Sequence, residues 1–282
     1  MLAERSRESI YFRGAGPSPF IYTAELGPAK FSSVAFALET EDDVRRLAAS
    51  HGADVEPLDG PVGGLRVVLV DPDGFKVEAV TFAHQIASLD VRAALPTNSA
   101  HGRSRLNTEL RFSPGPGQVC RIGHAVLNVT DFRRSEAWYK ARFGFITSDE
   151  IIADNGRVVG AFLRCNRGGT FTDHHTLFLI EAPVARFNHA AFEVIDADHL
   201  RLGHDMLARR GYEHYWGIGR HVLGSQIFDY WKDPWGHVLE HWTDGDMMNE
   251  GWGSRRSSLD SLGATQWGPA APHARARTQA SE

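Results

Sequence analysis

Two separate stretches of this chain repeat one pattern of apolar and polar positions. Phe31-Ser-Ser-Val-Ala-Phe-Ala-Leu-Glu-Thr-Glu-Asp-Asp-Val-Arg-Arg-Leu47 matches Phe187-Asn-His-Ala-Ala-Phe-Glu-Val-Ile-Asp-Ala-Asp-His-Leu200. Both read as a strand running into an acidic helix start, where carboxylates favour the first-turn dipole. Val44, Leu47 and Ala48 in one copy, and Leu200 and Leu207 in the other, then fall at helical spacing. Gly52 and Gly211 follow as stops. Downstream, Asp71-Pro-Asp-Gly-Phe-Lys-Val-Glu78 aligns with Asp233-Pro-Trp-Gly-His-Val-Leu-Glu240. Asp-Pro-x-Gly is turn chemistry that joins two strands. The chain therefore holds two copies of one β/α module.

The copies are unequal. The second opens with a strand at His124–Val129 and a helix at 130–143, with Phe132, Tyr139 and Phe143 on one stripe and Gly144 after it. The first begins near Tyr11, already past that point. Residues 1–82 are thus expected to form a module lacking its first strand–helix unit, through truncation or a misplaced start, because an exposed sheet edge is an aggregation liability. Residues 83–118, with Pro96, Pro114 and Pro116 and no clear periodicity, read as a surface linker. Residues 119–248 form the second module. Residues 249–282 read as a tail in which Gln266-Trp-Gly-Pro docks and the final ten residues are disordered.

Composition narrows the function. A net charge of −5 gives no reason to expect nucleic acid or an anionic membrane as partner. No apolar run reaches the roughly 18–20 residues of a membrane span, and the polar N-terminus is unlike a signal peptide. Cys120 and Cys165 stand alone, which excludes a disulfide scaffold or a zinc ribbon. A cytoplasmic location is the expectation. Eleven of the 14 histidines lie at or beyond position 124, so the chemistry is expected in the second module.

There, His124, His189 and Glu240 each sit in a short apolar strand pattern. Two imidazoles and a carboxylate from three strands make a facial ligand set, suited to an Fe(II) that must also hold a substrate and O2. In the first copy Ser33 stands where His189 should be, and Glu78, alone, reads as a solvated strand carboxylate. His174 should face away from its neighbour His175 on a strand, and His237 and His241 away from Glu240. His199, His204 and His214 read as a solvated helix and its loop, and His221 as a loop residue. Trp216, Trp231, Trp235 and Trp242 read equally well as walls of an aromatic pocket or as ordinary core.

With His175, His221 and Tyr230 added, residues 10–248 resemble the type I extradiol ring-cleavage dioxygenases of the vicinal oxygen chelate superfamily, most strongly over 120–246. The resemblance implies an α+β fold of tandem paired βαβββ modules, with metal bound only in the second. It implies His124, His189 and Glu240 as ligands of Fe(II), a set that also accepts Mn(II). It makes His175 the acid–base histidine, and His221 and Tyr230 the groups that hydrogen-bond the substrate oxygens. The expected reaction is cleavage of a catechol beside its diol with O2. A homo-oligomer is expected as well. Two other readings are a glyoxalase-type isomerase or lyase, which usually draws ligands from both modules, and a non-catalytic small-molecule binder, which has no need of all six residues.

Overall fold

A computed structural model describes residues 1–272. The expected disorder of the last ten residues lies outside the described residues. In the first half, β1 (Leu2–Arg5), β2 (Ser9–Phe12) and β3 (Tyr22–Glu25) form an antiparallel three-stranded sheet. Then come β4 (Val34–Ala37), α1 (Glu41–His51), β5 (Val55–Pro57), β6 (Gly64–Val70) and β7 (Lys76–Phe82). They make one βαβββ unit with sheet order β4-β7-β6-β5, in which β4 and β7 are parallel.

Residues 83–118 hold no named strand or helix. The second half contains two further units. The first is β8 (Val119–Val129), α2 (Phe132–Phe143), β9 (Ile146–Ile152), β10 (Val158–Arg164), the short β11 (Thr172–Asp173) and β12 (Leu177–Glu181). The second is β13 (Arg186–Val194), α3 (Ala197–Arg209), β14 (His214–His221), β15 (Ile227–Lys232) and β16 (Val238–Thr243). After the two-residue β17 (Met247–Met248), the tail supplies β18 (Arg255–Ser258) and β19 (Thr265–Trp267). The large sheet runs β18-β9-β10-β12-β8-β13-β16-β15-β14-β19. Its central seam is the antiparallel pair β8 and β13, where the two units meet.

Local chemistry places the helices. Thr40 and Asp43 form a reciprocal capping box at the start of α1, and Gly52 ends it at φ 61°, the left-handed turn glycine adopts without strain. Asp131 caps α2, so that helix begins at Phe132, and Asp196 caps α3. Phe132 and Tyr139 are fully buried, packed between the two halves with Val34, Phe36, Val77, Leu127 and Leu179. The Tyr139 hydroxyl donates to Asp71 Oδ2 at 3.0 Å, across the halves. No described helix is long and apolar enough to cross a membrane.

Glu78 departs from expectation. It is 7% exposed rather than solvated, with Lys76 at 3.0 Å and Arg66 at 3.7 Å. Two cations replace the water that the sequence pattern assigned to it.

Candidate metal centre

Strand register brings the chemistry together. On β13, Ala191 is the direct partner of His124 on β8 and of Glu240 on β16, and Glu240 is in turn the partner of Tyr230 on β15. His124, Ala191, Glu240 and Tyr230 therefore form one row across four strands and share a face. His189 lies two residues before Ala191, on the same face. Strands β8 and β16 are two spacings apart, roughly 9–10 Å, yet their side chains meet over Ala191, whose methyl leaves them room. Gly123 serves the same packing, since a Cβ there would lie 2.4 Å from the Trp242 indole.

His124 Nε2 lies 3.2 Å, and His189 Nε2 3.4 Å, from Glu240 Oε2. One ligand atom from each of the three falls within 4.8 Å of the others. Despite those distances, neither Glu240 oxygen accepts a well-aligned hydrogen bond among the described residues, and both are buried. A buried carboxylate with no donor is costly. Atoms 3.2–3.4 Å apart are spaced like two ligands of one ion about 2.1 Å from each. The donor set and the orphaned oxygens fit a divalent transition metal. Burial works against charge on Glu240, but His124, His189 and His221 around it outweigh burial and hold its pKa well below the carboxylate range. Burial also lowers His124, against the pull of Glu240, which keeps the imidazole neutral as a ligand must be.

Neighbouring groups fix ring orientation. His189 Nδ1 meets Asn188 Oδ1 at 2.8 Å, and Asn188 Nδ2 donates to Asn128 Oδ1 at 2.9 Å. With Nδ1–H donating, the Nε2 lone pair faces Glu240. The His175 ring lies 4.0 Å from that of His124 and is 3% exposed. Its pKa is held well below the ordinary histidine value by burial and then by His124 and His174. His221 Nε2 is 3.0 Å from the Tyr230 hydroxyl. Burial, then the Glu240 charge, raises the Tyr230 pKa well above the phenol range, so its hydroxyl keeps its proton.

All six expected site residues except Glu240 line one cavity of about 640 Å³, and the buried Glu240 lies against two of them, His124 and His189. Part of the cavity lining is apolar, with Phe162 and Phe178 stacked at 4.0 Å. Trp216 lines it; Trp231 and Trp242 are core; Trp235, 62% exposed in its turn, walls nothing.

Other positions differ from the sequence expectation. His174 does not face away: it is 1% exposed, its Nδ1 meets His175 Nδ1 at 3.0 Å, and its Nε2 meets Asp149 Oδ2 at 2.7 Å. Both histidines precede β12, where strand alternation does not apply. His221 ends β14 rather than lying in a loop, and His237 lines the cavity although it is not among the three converging residues. His214 also belongs to β14, and with His204 it hydrogen-bonds Asp229, so neither is simply solvated. Sequence reasoning missed Asp149, His174, Asn188, Asn128 and Ala191. The one available signal was Asn188 and Ala191 flanking a proposed ligand.

Residues 121–241 match the model of the Glyoxalase/Bleomycin resistance protein/Dioxygenase superfamily. The chain is 36% identical over 232 residues to metapyrocatechase 2 of Cupriavidus necator, spanning 81% of this chain and 68% of that protein. Homoprotocatechuate 2,3-dioxygenase from Arthrobacter globiformis superposes with a TM-score of 0.74 at 21% identity, covering 97% of this chain and 81% of the other. The Mn(II)-bound glyoxalase from Novosphingobium aromaticivorans superposes with a TM-score of 0.75 at 22% identity, covering 96% and 84%. At those identities the two structures establish the fold.

Proposed function

We propose a mechanism from the premise that this chain belongs to the glyoxalase/bleomycin resistance protein/dioxygenase superfamily and is one of its extradiol ring-cleaving dioxygenases. In this reading it opens a catechol ring beside the diol with O2, using one Fe(II) held by His124, His189 and Glu240. The observation that carries the assignment is the buried Glu240 carboxylate, which has no well-aligned hydrogen-bond donor among the described residues and is flanked by the Nε2 atoms of His124 and His189. Bound Fe(II) supplies a common point of attachment for catechol and O2 and a path for electrons between them.

The remaining steps fall to side chains. Asp149 accepts from His174 Nε2–H, so in the neutral tautomer His174 Nδ1 accepts from His175 Nδ1–H. That leaves the His175 Nε2 lone pair as a base for a catechol proton, which it returns later in the cycle. Asp149 and His174 act through His175 and are positioning residues. Tyr230, protonated, donates to a substrate oxygen, and His221 holds the phenol in place. Phe162 and Phe178 offer an apolar wall to the ring, and the cavity suits mono- or bicyclic catechols.

The decisive experiment is anaerobic loading with Fe(II), followed by a panel of substituted catechols with O2 uptake and yellow ring-opened product recorded. Wild type should bind one iron and consume O2 with at least one catechol. His189→Ala should lose iron and ring cleavage together; a variant that kept its full iron would overturn the ligand assignment. A glyoxalase-type isomerase gains no support from the site, because all three converging residues come from the second half.

A further inference from the structure

A second group of metal-ligating side chains lies on the reverse face of the strands that carry Tyr230 and Glu240. Asp229 precedes Tyr230 on β15, so its side chain leaves the opposite side of the sheet, toward α3. It is fully buried. His204 on α3 brings Nδ1 to 3.1 Å from Asp229 Oδ2, and His214 on β14 brings Nε2 to 2.9 Å from Oδ1. One ligand atom from each of the three lies within 4.8 Å of the others. Three elements each give one ligand, and the ring-cleavage reaction uses none of them.

The surroundings fit a cation. A buried carboxylate is expensive without a partner charge, and among the described residues Asp229 has no Lys or Arg in contact; the only ionisable groups that reach it are the two imidazoles. Trp231 Nε1–H donates to Asp229 Oδ2 at 2.5 Å, the kind of outer hydrogen bond that orients a metal-bound carboxylate. The Trp231 ring lies 5.2 Å from His204 and 4.7 Å from His214 and holds both imidazoles in place. Directly across the strand pair from Asp229, His241 is half-buried, and its Nδ1 is shielded from solvent with no hydrogen-bond partner among the described residues. Two ligands of a tetrahedral Zn(II), about 2.0–2.1 Å from it, stand roughly 3.2–3.4 Å apart. The distances here fall a few tenths of an ångström short, within reach of small side-chain adjustments. The His204 and His214 side chains are 19% and 34% exposed, so an ion can arrive from solvent.

We propose that His204, His214 and Asp229 bind one structural Zn(II) that pins α3 to β14 and β15. Metal-free wild type and the double variant His204→Gln/His214→Gln are dialysed against Zn(II) and their metal content measured. The variant should hold one equivalent fewer; equal stoichiometry in the two proteins overturns the proposal. Should the variant fail to fold, diethylpyrocarbonate labelling of wild type decides the matter. Zn(II) should shield His204 and His214, and equal labelling with and without it overturns the proposal. The His189→Ala protein should keep this uptake, which separates it from the iron-site reading.

Discussion

Ala191 sits between His124 and Glu240 in the row that forms the candidate metal centre, and it is fully buried. A larger side chain there would occupy the space over which imidazole and carboxylate approach. Ala191→Leu should lower iron occupancy and catechol turnover together, with a stability loss of about 1–3 kcal/mol from overpacking. Iron assay beside circular dichroism checks this, and a folded variant with full iron would show that the methyl is not what keeps the gap open. The three side chains that converge were legible as candidates, because imidazoles and a carboxylate stood at matching places in strand patterns. Ala191, Asp149 and His174 were not. A small residue, a carboxylate and a histidine at a strand entrance acquire their roles only from what lies beside them in space. Asp229 escaped notice for the same reason, since its two imidazoles come from α3 and β14.

At the scale of elements, the repeat announced α1 and α3, their acidic starts and the Asp-Pro-x-Gly turns. The tail was only partly readable. Besides docking through Thr265–Trp267 on β14, it adds β18 to the other edge of the large sheet, so both edges are covered. Polar, Gly-rich residues carry little periodic signal, and their pairing is decided by the edges they meet. Arg164, 1% exposed, fastens this arrangement. Its Nη1 donates to Thr147 O and Ser148 Oγ at 2.7 and 2.8 Å, and its Nη2 to Asn249 O and Gly253 O at 3.0 and 3.3 Å. Arg164→Met should destabilise by about 3 kcal/mol, as several charged hydrogen bonds are lost and the buried Ser148 hydroxyl loses one of its partners. Limited proteolysis should also cut residues 249–272 faster, and an unchanged cleavage rate would refute that fastening role.

For the molecule as a whole, none of the side chains that converge on the candidate metal centre comes from the first half, which meets the second through packing and hydrogen bonds. Phe31 and Phe187, matched positions of the internal repeat, stack face to face at 4.6 Å, so the two halves meet at equivalent points. Asp73 accepts from the Thr130 amide and Ser135 Oγ, and Asp71 from Tyr139. Tyr139→Phe should cost about 1 kcal/mol by removing one cross-half hydrogen bond. Denaturant midpoints measure the loss, while iron content and turnover should stay at wild-type levels. A fall in turnover alone would mean that the first half governs the active centre after all.

The seam between β8 and β13 has a consequence for biosynthesis. The proposed iron grip draws on positions 124, 189 and 240, so it is assembled only when both units of the second half stand side by side. A ribosome releasing a product that stops short of Glu240 would deliver two imidazoles without their carboxylate. Iron loading would then report on the integrity of each newly made copy.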